Sequence, residues 1–307
     1  MYILYIYVTF IAELLPLFIT LPMKNLLSHR LYFNSYDKEW LIFIHGVGGN
    51  STTFHMQLKA FKAHFNILMP DLRGHGLSQG LAEPENSKYS LDLISEDVFR
   101  LMDHLQIKKS NFIGCSFGAS LIRIMESSQP ERFKSIVMTG AVLRIKTSMY
   151  LIFKLGKLLS PYINNHLLYT IVAYIIMPYS NHKESRRMFI EGSKLIARNE
   201  YRSWLGILDE IKHRMDELFL VSFTSDSVLL ISGNEDHAFL KDCLRYCTIH
   251  QSIQLIVLQN CGHVSSIEKY DKFNNLALNF IQKEEHRNGT QHELDLSDTL
   301  NPDHFAG

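Results

Sequence analysis

Three residues of this 307-residue chain have types and settings suited to acyl-transfer chemistry: Ser116, Asp236 and His263. Ser116 lies in IGCSFGAS (113–120), with Gly114 two positions before it and Gly118 two after. That is the G-x-S-x-G pattern of a nucleophile elbow, a turn too tight for side chains at the flanking positions. A serine hydroxyl is a poor nucleophile unless a base removes its proton as it attacks. His263 ends the run Cys261-Gly262-His263. An imidazole, with an ordinary pKa near ~6.5, takes such a proton at neutral pH and returns it to the leaving group. Asp236 closes Gly233-Asn234-Glu235-Asp236, and a carboxylate there would orient the imidazole and stabilise its cation. Glu235 is its rival for that role.

A second stretch, His45-Gly46-Val47-Gly48-Gly49, supplies a glycine-rich loop whose backbone can approach a ligand closely. We read it as an oxyanion loop, with the Val47 N–H as one donor, the Phe117 N–H as the other, and Gly46 and Gly48 beside the substrate. His75, in DLRGHGLS (71–78), is a loop histidine held by polar partners rather than a base. Cys243 and Cys247 lie one helical turn apart without a second metal-type pair, so they are packing residues and not a zinc site. This chemistry needs no metal or organic cofactor.

The elements that must position these residues are legible in the periodicity. Residues 110–115 read as a buried strand and 117–128 as a helix, which puts Ser116 at their junction. Residues 30–35 and 39–45 read as strands joined by a turn at Asp37-Lys38, 53–64 as a helix and 65–70 as a strand. Apolar positions recur at helical spacing over 90–105, with Ser90 as N-cap. Further buried strands are predicted at 134–141, 227–233 and 254–260, and a helix at 270–282. Asp236 and His263 each follow one of these strands, at the edge where open α/β sheets place their sites. Residues 143–225 break the alternation. They have helical texture and are richly apolar over 149–178, which predicts a helical cap with apolar surface turned towards the site, an acyl pocket. Residues 283–307 are polar, acidic and aperiodic, and read as a mobile tail.

Composition narrows the partners. Lys plus Arg and Asp plus Glu balance at 31 each, and no basic stripe stands out, which disfavours nucleic acid. Four cysteines suit a reducing compartment. Residues 1–23 are almost continuously apolar and long enough to span a bilayer. They read either as a membrane anchor or as an extension upstream of a true start at Met23. Lys24, His29 and Arg30 follow, so an anchored form keeps its catalytic body on the cytoplasmic side. The expected location is cytoplasmic, with possible membrane-surface association through residues 1–22.

Taken together, the HGVGG loop, DLRGHGLS, GCSFG, GNED and CGH fall in the order in which members of the α/β-hydrolase superfamily carry their landmarks, and residues 24–282 strongly resemble that superfamily. The resemblance implies a mostly parallel central sheet flanked by helices, with core 24–142 and 226–282 and an inserted helical cap at 143–225. It also implies the chain order nucleophile, acid, base, and the spacing Gly-x-x-Asp from Gly233 favours Asp236 over Glu235. It is closest to the capped esterase, lipase and carbon–carbon hydrolase branch. His237-Ala238-Phe239 after the acid and Tyr270 after the histidine stand where relatives often carry proline. The activity expected is hydrolysis of a carboxylic ester with an apolar acyl chain, of monoacylglycerol-lipase type. A carbon–carbon bond hydrolase is the nearest rival, with Arg144, Arg186 or Arg187 to hold a substrate carboxylate. A non-turnover sensor of a small ligand is the other.

Overall fold

A computed structural model describes residues 18–19, 25–81 and 89–298. Eight strands form one sheet in the order β1-β2-β4-β3-β5-β6-β7-β8. They are β1 Phe18–Ile19, β2 His29–Tyr32, β3 Trp40–Ile44, β4 Asn66–Pro70, β5 Ser110–Cys115, β6 Phe133–Thr139, β7 Val228–Gly233 and β8 Gln254–Leu258. From β4 to β8 the neighbours pair in parallel, while β2 is antiparallel to both β1 and β4. β3 and β7 are runs of apolar residues, β5 and β6 are apolar over Phe112–Ile113 and Ile136–Met138, and all four are almost wholly removed from water, as parallel strands covered on both faces must be.

The covering helices are α1 His55–Phe61, α2 Leu91–His104, α3 Phe117–Ser128, α9 Leu240–Ile249, the short α10 Ser265–Glu268 and α11 Tyr270–Asp298. Ser90 caps α2 as expected, its hydroxyl accepting from the Leu93 N–H. Between β6 and β7 the chain leaves the sheet and forms five helices: α4 Thr147–Leu159, α5 Asn165–Ile176, α6 Lys183–Ser193, α7 Arg198–Gly206 and α8 Leu208–Leu218. The predicted elements are all present, with ends shifted by up to three residues except in the last helix, which runs sixteen residues past its expected end at 282.

Two readings of the chain's ends need separate treatment. The apolar segment 1–23 lies outside the described residues except for Phe18–Ile19, which pair with Arg30–Leu31 at the sheet edge. Among the described residues no helix is long and apolar enough to cross a membrane. At the other end, the tail expected from residue 283 is helical as far as Asp298. The lack of apolar periodicity concealed a segment rich in good helix formers, held at its start by polar contacts rather than by core packing. Glu284 is buried and accepts from the Ser227 hydroxyl at 2.6 Å.

Beside it, Glu285 meets Glu39 and Lys134 under the sheet, where Asn111 Nδ2 donates to Glu39 at 3.0 Å. Burial and the neighbouring Glu39 carboxylate push Glu285 up to about 7. The folded state therefore binds a proton that the unfolded chain has released, and stability falls as pH rises from the ordinary glutamate range through about 7. Glu285→Gln is expected to raise the thermal midpoint by about 1–3 °C at pH 8, after discounting for solvent screening, and to leave it unchanged at pH 5. Differential scanning calorimetry at the two pH values checks this.

Candidate functional site

The site is built around the corner between β5 and α3. Ser116 has φ 53° and ψ −121°, a conformation costing a non-glycine residue about 1–3 kcal/mol. The corner is held by the Ser116 N–H donating to Thr139 O at 2.9 Å. Gly118 begins the helix so close to β3 that a Cβ there would lie 2.1 Å from Ile44 O, and one at Gly114 would lie 2.8 Å from the Ala119 nitrogen. The two glycines of the motif are thus dictated by backbone approach on either side of the serine.

The structure brings Ser116, His263 and Asp236 into one hydrogen-bonded chain. His263 Nε2 is 2.9 Å from Ser116 Oγ, and His263 Nδ1 is 2.9 Å from Asp236 Oδ2. The other carboxylate oxygen, Oδ1, accepts from the Phe239 N–H at 3.2 Å. Asp236 and His263 are buried, whereas Ser116 is only half-buried and faces a cavity. Burial pushes the Asp236 carboxyl up, but the adjacent His263 ring, their hydrogen bond and the Phe239 N–H outweigh it and hold it below the ordinary carboxylate range. With Asp236 ionised, the imidazole keeps its proton on Nδ1 and presents a bare Nε2 to the serine hydroxyl.

Glu235 is excluded from this chain by direction. It accepts from Asn181 Nδ2 at 2.6 Å and from His182 Nε2 at 2.9 Å, on the far side of the loop. Those contacts reveal a brace that single-residue reading of the sequence missed. Buried His182 leans against Gly262, and Glu268 accepts from the Gly262 N–H (2.5 Å) and the Ser185 hydroxyl (2.7 Å). The segment between α5 and α6 therefore grips the loop that carries His263. Its parts lie about 80 residues apart in sequence and become neighbours only through tertiary packing.

Gly46 lies against Ser116, since a Cβ there would be 3.1 Å from the serine Cβ. Neither the Val47 nor the Phe117 N–H donates to any acceptor among the described residues, and both residues line a cavity with Ser116. The loop is fixed from below by two histidines. His45 Nε2 accepts from the Leu72 N–H at 3.0 Å and His75 Nε2 from the Gly48 N–H at 3.1 Å, while their Nδ1 atoms donate to carbonyls. Burial drives their pKa values down to about 4 and about 3, so both are neutral and act as rigid hydrogen-bonding struts. His75 is thus a loop histidine with polar partners, as its setting suggested. From above, α6 presses on the same loop: a Cβ at Gly192 would fall 2.0 Å from Gly48 O. Trp204 of α7 packs edge-on to the Phe117 ring, centroids 5.1 Å apart, and its indole N–H donates to Arg73 O at 3.0 Å.

Two chambers meet at Ser116. The outer one, about 410 Å³, is bounded by the 46–49 loop, His263, Asn50, Thr52, Thr53 and α6. The inner one, about 180 Å³, runs under the inserted helices between Phe117, Phe153, Val172, Trp204 and Phe239, and no charged side chain lines it. Arg144 and Arg186 reach neither. Arg144 pairs with Asp216, and Arg186 donates to the Met177 and Tyr179 carbonyls. Arg187 does border the outer chamber, paired with Glu184 at 2.6 Å. The cysteines form no disulfide. Cys243 is buried against Ala141 O, its thiol pushed up by burial to about 12. Among the described residues no cluster of His, Cys, Asp and Glu is placed to hold a metal ion.

Known proteins resemble this chain in sequence and in fold. Residues 39–170 match the family model described as the alpha/beta hydrolase fold. Over 126 residues the chain is 29% identical to 3-oxoadipate enol-lactonase 2 of Acinetobacter baylyi, a match covering 41% of this chain and 46% of that one. It is 30% identical over 117 residues to a putative esterase/lipase of Haemophilus influenzae, covering 38% and 39% respectively. The chain thus spans less than half the length of these curated relatives. In three dimensions it is similar to an enol-lactonase of Burkholderia xenovorans (TM-score 0.68, 20% identity, 83% of this chain and 96% of that one). It is also similar to a meta-cleavage product hydrolase of Pseudomonas fluorescens (TM-score 0.64, 23% identity, 84% and 95%). The sheet and its helices define the α/β-hydrolase fold. By fold, and by the sequence match over residues 39–170, the chain is similar to proteins of the α/β-hydrolase superfamily.

Two outcomes follow from this geometry. A strongly hydrogen-bonded Nδ1 proton on His263 is expected far downfield in the proton NMR spectrum, lost in Asp236→Asn and kept in Glu235→Gln. Gly192→Ala is expected to lower the thermal midpoint, because its methyl group meets the backbone carbonyl of Gly48 rather than a movable side chain; thermal unfolding followed by circular dichroism checks it.

Proposed function

We propose that this protein is a serine hydrolase that cleaves carboxylic esters with an apolar acyl chain. The observation that carries the reading is the position of Ser116 Oγ, 2.9 Å from His263 Nε2, at the meeting point of an inner chamber without charged side chains and an outer one that charged and polar side chains border. In the proposed reaction Ser116 Oγ attacks the ester carbonyl carbon while its proton passes to His263 Nε2. The oxyanion that develops is taken by the Val47 and Phe117 N–H groups, each such donor being worth about 3 kcal/mol. Asp236 accepts from Nδ1–H and stabilises the imidazolium throughout. The imidazolium then protonates the leaving alkoxide oxygen, the carbon–oxygen bond breaks, and the acyl group stays on Ser116. A water molecule, deprotonated by His263, repeats the attack and releases the acid.

The two chambers support a direction for the substrate. His263 must deliver its proton to the leaving oxygen, and His263 borders the outer chamber. The alcohol therefore occupies the outer space beside Asn50, Thr52 and Thr53, whose polar groups suit a hydroxylated alcohol such as a glycerol moiety. The acyl chain occupies the inner space, where burial of each methylene contributes about 0.8 kcal/mol. Enol-lactonase, esterase/lipase and meta-cleavage product hydrolase all occur among the similar proteins, and the first two names describe ester chemistry. The carbon–carbon hydrolase reading has Arg187 and Lys194 beside the outer chamber to hold a carboxylate, each already paired with a glutamate, Glu184 and Glu191 respectively. It ranks second for that reason.

Multiple-turnover hydrolysis of p-nitrophenyl esters of increasing acyl length tests the proposal. Activity should peak at a medium acyl length, and Ser116→Ala should remove at least about 10³-fold of it. Asp236→Asn should cost about 10³–10⁴-fold and Glu235→Gln less than about tenfold. Val172→Trp, which fills the inner chamber, should shift the optimum to shorter chains. Turnover of no ester at all would sink the reading and move the carbon–carbon hydrolase and the ligand sensor ahead of it.

A further inference from the structure

Helices α4 and α5 are apolar on both faces. Their inward faces line the inner chamber through Phe153 on α4 and Leu168, Val172 and Ile176 on α5. On the outward face of α4, Leu151, Leu155 and Leu158 recur at helical spacing and are 58%, 55% and 69% exposed, and Tyr162 continues the stripe just beyond the helix end. Leu167, Ile171 and Tyr174 make a matching outward stripe on α5. A single layer of helix thus separates the chamber from an exposed apolar surface. Exposed apolar side chains repeated at helical spacing on two successive helices mark an interaction surface rather than ordinary surface scatter.

Charge identifies the partner. From Phe133 to Lys183 the chain contains no aspartate or glutamate, but carries Lys134, Arg144, Lys146, Lys154, Lys157 and Lys183. On the flank of α4, Lys154 and Lys157 share the single carboxylate of Asp209, at 3.6 and 3.8 Å, which leaves a net positive charge there. At the C-terminal end of the stripe the exposed Arg198 guanidinium donates to the Ser160 and Pro161 carbonyls and meets no carboxylate among the described residues. An apolar stripe flanked by an excess of cations, carried on long side chains that can extend to headgroups, is the pattern of a helix lying in an anionic lipid interface. A self-association face offers no reason for a border in which cations outnumber carboxylates.

We propose that the outward face of α4 and α5 docks on an anionic lipid bilayer, setting the inner chamber one helix away from the acyl region of the membrane. The proposal stands on exposure and charge alone, so vesicle binding is read independently of any turnover.

The test is co-sedimentation of the full chain with vesicles of phosphatidylcholine alone and of phosphatidylcholine with phosphatidylglycerol. Binding is expected to the anionic vesicles, to weaken as salt is raised, and to fall at least about tenfold in Leu155→Glu/Leu158→Glu. Lys154→Gln/Lys157→Gln should reduce it more at low salt than at high salt. A thermal midpoint within a few degrees of the parent certifies that the leucine pair still folds. If it does not, Leu151→Ser/Leu155→Ser takes its place. The proposal is overturned by three results: no binding to anionic vesicles; full binding retained in the leucine variants, which would assign it to the apolar N-terminal segment; or a concentration-dependent dimer in sedimentation velocity that the leucine variants abolish, which would make a second copy the occupant.

Discussion

The structure depends on one strained turn. Ser116 sits at positive φ without the freedom of a glycine, and it stays there because everything around it leaves the backbone no alternative. Its N–H is tied to β6, and Gly118 places the start of α3 against the β3 carbonyls. Four almost wholly buried parallel strands make that corner stiff, since moving it would unpair backbone groups that have no access to water. In return the hydroxyl is projected above the sheet, within 2.9 Å of a histidine that arrives on the loop after β8. The energy stored in the turn is small against the packing that enforces it, so it survives folding and fixes the serine's direction.

The second layer of order comes from the inserted helices. They touch the site at three places that have no common sequence signature: Gly192 on the Gly48 carbonyl, Trp204 on the Phe117 ring, and His182 with Ser185 on the loop of His263. Each contact grips a different working part. The 46–49 loop is held from above by α6 and from below by two neutral buried histidines. A histidine serves as a strut here because one ring nitrogen donates while the other accepts, and burial removes its tendency to charge. The result is a pair of loops that cannot shift independently of the helices roofing them.

Much of this was open to reading from the residues in order. Buried parallel strands announce themselves as short runs of Ile, Leu, Val and Phe, and the motif residues stand at their C-terminal ends, so the sheet core and the Ser116–His263–Asp236 set were legible. The polar stretch after residue 282 was not. Its helix to Asp298 rests on intrinsic propensity and on Glu284 reaching Ser227, which lacks the apolar period that marks a packed helix. The choice between Glu235 and Asp236 could be ranked from spacing, but only the fold turns one carboxylate towards His263 and the other towards His182.

What the sequence by itself determined is local: which segments are strands, where the chain must turn with glycine, and which side chains end each strand. Those follow from sterics and period, which act between residues close in the chain. Tertiary structure alone decided the rest: the division of the space around Ser116 into an inner chamber without charged side chains and an outer one that they border, the brace of His182 on Gly262, and the placement of a leucine stripe outward rather than inward. Helices apolar on both faces have no preferred side in the sequence. Only packing against the sheet decides which face is covered, because burial is a property of distant segments brought together and not of any one of them.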